Sequence, residues 1–326
     1  MNILVTGGAG FIGSHFVRLL MKTHPNDHII NFDALTYAGN LANVSEVAQA
    51  KNYTFVKGDI RDLAFVRRIF STYRIDQVVN FAAESHVDRS ITAPRLFMET
   101  NILGTENLLL AAKDYWKIAP QTYPNHVRFL QISTDEVYGD ASGSTKPFSE
   151  QEALQPSSPY AASKASADLV VGAYQRTYQF PAMITRCTNN YGPNQYKEKF
   201  IPVIIRHALA DEAVPIYGNG QQERDWIHVW DHCRAVLTVL KRGKLGSIYN
   251  VSAQHALTNF ALTQQILALL GKPLDRIEHV SDRLGHDGKY AITNDRIMAL
   301  GWSAQVPFDE GIKQTVRWYV DHPEYR

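Results

Sequence analysis

The chain is short of cysteine and of net charge, and each shortage excludes something. Cys187 and Cys233 are the only cysteines among 326 residues. Two so far apart make no disulfide framework, and a reducing cytoplasm is the expected setting. Lys and Arg number 33 against 32 Asp and Glu, a net charge of +1. The two signs are well mixed, so neither nucleic acid nor an acidic membrane is expected as a partner. No apolar run is long enough to span a bilayer. The first one has no basic segment before it and breaks at Gly7, which marks a strand and not a signal peptide. Internal repeats and low-complexity tracts are also missing.

What is present begins with a glycine-rich turn. Asn2 to Thr6 is a short β-branched run leading into Gly7-Gly8-Ala9-Gly10-Phe11-Ile12-Gly13 and then a helical pattern. Gly7, Gly10 and Gly13 follow a GxxGxxG spacing. Glycines here allow a tight turn, let backbone approach a pyrophosphate and pack helix on strand. The helix N-terminus then faces the anion with unpaired N–H groups. A second apolar run, His28 to Phe32, ends in Asp33, twenty residues past Gly13. An acid there accepts from the adenosine ribose hydroxyls and repels a 2′-phosphate, which favours NAD over NADP.

Strand and helix signals keep alternating. Tyr53–Val56, Gln77–Ala83 and Val127–Ile132 read as strands, with helices over Leu63–Phe70 and Leu96–Lys113 between them. The expected fold class is α/β, a Rossmann-type doubly wound parallel sheet with a smaller C-terminal domain. Ligands of such sheets bind at the carboxyl ends of the strands. Gly7, Asp33, Asp59, Ala82 and Thr134 would share that rim. The expected division is 1–188 for the dinucleotide, with 226–252 returning to it, and 189–326 for substrate.

Two motifs carry chemistry. Ser158 and Pro159 look like a helix cap and first turn, and the helix would run to about Tyr178. On it Tyr160 and Lys164 are four apart, on one face. A neighbouring ammonium and a positive nicotinamide would favour the phenolate, making Tyr160 a base for a sugar hydroxyl as hydride leaves its carbon. Thr134 would bond the same oxygen. Asp135 and Glu136 follow directly. Close carboxylates tend to split, one protonated and one ionised, which suits removal of a proton and of water. For both to serve one substrate, the chain must turn after Ser133. The residues alone therefore point to a redox-assisted dehydration.

His228, His232 and Cys233 together resemble a metal site. Asp231 reads as the cap of a helix, which would put the histidines on different elements, and no further ligand stands nearby. No metal is expected.

These segments resemble the extended short-chain dehydrogenase/reductase superfamily, and within it the dTDP-glucose 4,6-dehydratase branch. The resemblance covers essentially the whole chain, through GGAGFIGS, FDALTYAGNL, GDIRD, FAAESHVDRSI, STDEVYG, SPYAASKAS, RCTNNYGP, PIYGNG, RDWIHV and DRLGHDGKYAI. The Thr-Asp-Glu triplet discriminates, because related epimerases lack the acid pair. Leu284 and Lys289 depart from the usual pattern, which has proline and arginine there. A UDP-sugar 4,6-dehydratase or 4-epimerase and a non-catalytic NAD-binding relative are the alternatives.

The resemblance implies a route. Tyr160 deprotonates the C4 hydroxyl as hydride passes to NAD. Glu136 removes the C5 proton while Asp135 protonates the departing C6 hydroxyl, and hydride returns to C6. By position it also implies that the dinucleotide meets Phe11, Ile12, Asp59, Ile60, Ala82, Ala83, Ser85, Thr100 and Asn190. His86 should lie near the sugar. The nucleotide end would fall to Asn189, Lys199, Phe200, Pro215, Tyr217, Arg224, Asn250, Arg283, His286 and Tyr290. A dTDP-rhamnose-type deoxysugar pathway is the expected context. The helix from Leu96 is apolar on more than one face, and Ala162, Ala165, Ala167 and Val170 on the Tyr160 helix are small. Together they suggest a homodimer through four helices.

Overall fold

Short β-branched runs closed by turn residues, alternating with longer amphipathic ones, give the first half of the chain its order. The computed structural model describes residues 1–326. Strands β1 (Asn2–Thr6), β2 (His28–Asp33), β3 (Tyr53–Lys57), β4 (Gln77–Asn80), β5 (Arg128–Thr134) and β6 (Ala182–Cys187) come first. Between them lie α1 (Phe11–Thr23), α2 (Leu63–Tyr73), α3 (Val87–Thr92), α4 (Pro94–Phe97), α5 (Gly104–Trp116) and α6 (Pro159–Tyr178). Then follow β7 (Asn189–Tyr191), α7 (Phe200–Leu209), β8 (Val214–Tyr217), β9 (Glu223–His228), α8 (Val229–Arg242) and β10 (Ile248–Val251). Last are β11 (Ala256–Thr258), α9 (Asn259–Leu269), β12 (Ile277–Val280), α10 (Asp295–Met298) and α11 (Phe308–Asp321).

Seven strands pair in parallel in the order β10-β6-β5-β4-β1-β2-β3. The order reverses between β1 and β4, so the crevice of this α/β fold opens there. One core packs α1 and α8 against the sheet through Phe16, Leu20, Val236 and Val239. Another packs α2 and α5 against it through Val66, Phe70, Leu108 and Leu109. The smaller lobe has a three-stranded sheet, β11-β9-β7, a two-stranded one, β12-β8, and its own core from α7, α9 and α11. Residues 226–252 divide between the lobes: β9 stays in the small sheet, while α8 and β10 pack into the large one.

Local chemistry explains the ends that matter. Ser158 caps α6 by accepting from the Ala161 amide at 3.1 Å, with Pro159 at the first position; such a cap contributes about 1 kcal/mol. The helix expected over Leu96–Lys113 starts earlier, at Pro94, and is interrupted by a wide, π-type turn over Met98–Leu103. That turn carries Asn101, whose side chain accepts from the Glu84 amide at 2.9 Å. It also donates to the Glu84 carbonyl at 3.0 Å and to the Ser163 hydroxyl at 2.8 Å. A regular helix would lose this grip on the loop after β4. His228, not Asp231, caps α8, because the helix starts two residues before the acid; its Nδ1 accepts from Trp230 at 3.3 Å. Asp231 instead holds the Gln305 and Val306 amides at 2.9 and 2.8 Å. No helix is long and apolar enough to cross a membrane.

Candidate active site

A cleft of about 560 Å³ runs along the carboxyl ends of the sheet and under the smaller lobe, within the size range of small-molecule sites. Its floor is the glycine turn. Gly7 has φ +67°, and a Cβ there would come within 2.7 Å of the Ala82 backbone nitrogen. Only glycine fits. Gly10 opens α1 with no side-chain cap, so the first helical amides are left for an anion. Asp33 ends β2 buried, accepting from the Ala9 and Leu35 amides at 2.9 and 2.7 Å. These bonds orient the carboxylate and leave lone pairs for hydroxyls. Phe11, Ile12, Gly13, Asp59, Ile60, Ala82, Ala83, Ser85, Thr100 and Asn190 line the same stretch. A dinucleotide fits this set.

The reactive groups stand at the middle. β5 runs two residues further than expected, through Thr134, and the chain then turns over Asp135–Tyr138. Thr134 caps that turn: its hydroxyl accepts from the Glu136 amide at 3.3 Å and lies 3.3 Å from Asp135 Oδ1, to which it donates. The turn brings both acids to the cleft. Their surroundings differ. Asp135 is only 3 % exposed and its Oδ2 has no partner. Burial first, then the neighbouring Glu136 and Asp225, push its carboxyl well above the ordinary range. Glu136 is also raised by burial, but the Arg283, Arg224 and Lys199 cations pull against that. Asp135 is therefore arranged to hold a proton and Glu136 to lose one.

Tyr160 and Lys164 face the cleft from α6. The lysine is expected to lower the tyrosine jointly with a positive nicotinamide, and without that second charge it does not bring the phenol down. The Lys164 ammonium donates to the Ile132 carbonyl at 2.6 Å, and burial lowers its own pKa. Burial, Glu136 and Cys187 together hold the Tyr160 phenol well above its usual value. Lowering it calls for a further positive charge at the cleft.

The outer half carries the cations. Lys199 donates to the Ser85 carbonyl at 2.7 Å, and His86 Nε2 lies 3.2 Å from the Glu198 carbonyl. Both bonds, with Tyr196 edge-on to Tyr37 at 5.4 Å, draw the 193–199 loop across to the large lobe. Arg224 is buried over the Tyr290 ring at 4.2 Å, donating to the Glu223 and Asp287 carbonyls at 2.8 Å each. Arg283 keeps its Nε unpartnered, ready for an anion. Asn189, Phe200, Pro215, Tyr217 and His286 complete the lining.

Asn250 is the exception. It lies on β10, fully buried, accepting from the Tyr138 hydroxyl at 2.8 Å and donating its amide N–H to Glu150 at 3.0 Å. It is outside the cleft because the strand turns it inward. The two departures from the family pattern also point elsewhere: Leu284 is 75 % exposed and Lys289 pairs with Glu223 at 2.9 Å. His232 sits inside the protein, its Nδ1 2.9 Å from Asn190 Oδ1, and burial takes its pKa down to about 3. It positions a cleft residue as a neutral ring.

Several lining residues were not foreseen: Tyr37, Glu84, Asp88, Cys187, Glu198 and Trp226. Asp88 accepts from Tyr217 at 3.1 Å and stands 4.0 Å from Arg283, fixing both. Tyr37, Glu84 and Asp88 belong to the LTYAGN and ESHVDRS segments, whose recurrence was noticed but not their individual tasks.

A family model described as GDP-mannose 4,6 dehydratase matches residues 4–315. The dTDP-glucose 4,6-dehydratase of Xanthomonas campestris is 48 % identical over 97 % of this chain and 92 % of its own. That of Escherichia coli, dTDP-glucose 4,6-dehydratase 1, is 46 % identical over 100 % of this chain and 94 % of its own. A crystal structure of the Streptomyces venezuelae dTDP-glucose 4,6-dehydratase with NAD bound superposes with a TM-score of 0.94. It is 44 % identical and covers 100 % of this chain and 98 % of that one. An acid pair beside a Tyr/Lys pair on a Rossmann-type sheet, with relatives this similar over nearly the full length, leads to one assignment: the chain belongs to the dTDP-glucose 4,6-dehydratase family.

Proposed function

We propose that the chain is a hydro-lyase that converts dTDP-glucose to dTDP-4-keto-6-deoxyglucose, a step of dTDP-rhamnose-type deoxysugar biosynthesis in the cytoplasm. The observation that carries it is the Asp135–Glu136 pair, a buried and a half-buried acid held in unlike surroundings next to Tyr160. Bound NAD supplies a hydride acceptor and then a hydride donor, and is regenerated. Tyr160 takes the proton of the C4 hydroxyl, with Thr134 bonded to the same oxygen. Glu136 takes the C5 proton that the new ketone acidifies, and C5 is reprotonated when hydride returns to C6. Asp135 protonates the C6 hydroxyl as it leaves as water. Arg224, Arg283 and Lys199 face the diphosphate. Residues 1–188, with α8 and β10 returning to them, would form the cofactor domain and the rest of 189–326 the substrate domain.

The test is incubation of the purified, NAD-loaded protein with dTDP-glucose and, separately, UDP-glucose. Release of the 4-keto-6-deoxy product from the dTDP sugar supports the reading. A change of configuration at C4 without water loss would replace it with an epimerase. Asp33 should also discriminate cofactors, since its fixed carboxylate repels a 2′-phosphate. A titration of stripped protein should show NAD binding much more tightly than NADP, and equal affinities would overturn the role given to Asp33.

We further propose a homodimer. Leu103 is 55 % exposed, Leu169 on α6 59 % and Leu96 on α4 36 %, and α4 and the Met98–Leu103 turn both pack against α6. Ala165 and Ala167, expected to pack across the interface, are buried within the chain, so the outward face rests on the leucines. Apolar residues of this size in one area ask for a cover. Light scattering at micromolar concentration should give twice the chain mass, and a monodisperse monomer would exclude the dimer.

A further inference from the structure

α6 carries a third polar residue in line with Tyr160 and Lys164. Asp168 follows Lys164 by one turn on the same face, and it is buried outside the cleft. Its Oδ2 accepts from Arg186 Nε at 2.8 Å, both side chains being closed to solvent. Its Oδ1 has no hydrogen bond of good geometry, but the Ser133 hydroxyl on β5 stands close enough to favour its ionised form. Arg186 is itself held in place. Its Nη1 donates to the Tyr138 hydroxyl at 2.9 Å, and the guanidinium lies 4.8 Å over that ring. Tyr138 donates to Asn250 at 2.8 Å, the Asn250 amide donates to Glu150 at 3.0 Å, and Arg296 reaches Glu150 at 3.4 Å.

Stability does not account for such a pair, because apolar residues of similar volume often serve as well or better. Its effect falls on Lys164. That ammonium has three N–H donors and gives one to the Ile132 carbonyl, while burial works against its charge. The groups around it are few. Tyr160 and Asp168 come from its own helix, the uncharged Ser133 from β5, and Cys187 and Arg186 from β6, whereas Asp135 and Glu136 act on Tyr160. Burial raises Tyr160 far above its ordinary value and the Cys187 thiol to about 12, so both are neutral near neutral pH. Arg186 has the same sign as the lysine and spends its charge on Asp168.

Asp168 is the one anion left for Lys164; burial raises its carboxyl, and Arg186 first, then Lys164 and Ser133, pull against that. We propose that Asp168 is a positioning residue that keeps Lys164 in its ammonium form, while Arg186, Tyr138 and Asn250 hold Asp168 ionised and in place. This rests on the reading of Tyr160 and Lys164 as the redox pair. Asp168 acts through the lysine and touches neither sugar nor dinucleotide.

The experiment is single-turnover oxidation of dTDP-glucose by NAD-loaded protein across pH, in wild type, Asp168→Asn and the double variant Asp168→Asn with Arg186→Met. The wild-type rate should climb with pH as Tyr160 ionises and then level off. Without Asp168, Lys164 loses its proton earlier, so the rate should fall again on the alkaline side. That fall should come at least about one pH unit before any in wild type, since a close opposite charge moves a pKa by roughly 1–3 units. KM for dTDP-glucose should not change. The single variant leaves Arg186 buried and unpaired and risks the fold; the double one removes both charges. A readout free of substrate is ultraviolet titration of Tyr160 in NAD-loaded protein, against Tyr160→Phe in the same background. In the double variant its phenolate should appear at higher pH. A folded, NAD-loaded double variant with the wild-type profile and an unmoved Tyr160 titration would overturn the proposal. Wild-type protein inert toward dTDP-glucose would instead sink the functional reading, with the Tyr160 titration still deciding the role of Asp168.

Discussion

Replacing Asp135 by Asn and Glu136 by Gln together should stop water loss while leaving sugar oxidation in place. Both changes keep shape and hydrogen-bonding capacity and remove proton transfer. Positioned acid–base groups each contribute roughly 10²–10⁴-fold, so product release should drop by at least that factor. In single-turnover mixing with dTDP-glucose, absorbance of reduced nicotinamide should rise and stay high, because no C5–C6 alkene forms to take hydride back. The two acids should also separate. Asp135, pushed up by burial and Glu136, has to be protonated to act, so elimination should slow as pH rises through its pKa. Near wild-type product release by the double variant would remove Asp135 and Glu136 from the mechanism.

Tyr160→Phe should act one step earlier. The phenylalanine fills the same space, edge-on to Phe97 as the tyrosine is at 6.3 Å, but has no proton to exchange. Reduced nicotinamide should then form slower than in wild type by about 10²–10⁴-fold, with sugar binding retained. The pH profile gives the sign. Burial holds the phenol protonated, so wild-type oxidation should speed up as pH rises, and the Phe variant should lose that rise. An unchanged oxidation rate would assign the base role to another group.

The parts of the site that could be read from the sequence are those written in consecutive residues. The Gly7-Gly10-Gly13 turn, Asp33 at a strand end, the Thr134-Asp135-Glu136 triplet and the Tyr160–Lys164 spacing each need only local geometry, and the sheet brings them to one rim. The parallel, doubly covered sheet followed from the alternation of strand and helix, while its strand order, with β10 beyond β6, came only from the structure. What stayed hidden depends on distant partners. The resemblance alone places Asn250 at the nucleotide end, and only the pairing of β10 with β6 shows that it turns inward. Asp88 matters through Tyr217, 129 residues away, and Arg283. Helix geometry places Lys164 on the right face without saying that its ammonium points to the Ile132 carbonyl.

The seventh strand has a consequence for how the protein can be cut. β10 covers β6, every residue of which is buried, and β10 is supplied only after the chain has crossed to the small lobe through β9 and come back through α8. A fragment ending near residue 188 would expose β6 as a bare edge, with unpaired amides and carbonyls beside apolar side chains. Such an edge recruits strands from other molecules. The dinucleotide-binding half is therefore no separable module: its sheet is finished by sequence that follows much of the sugar-binding half, and truncated forms should aggregate before they bind anything.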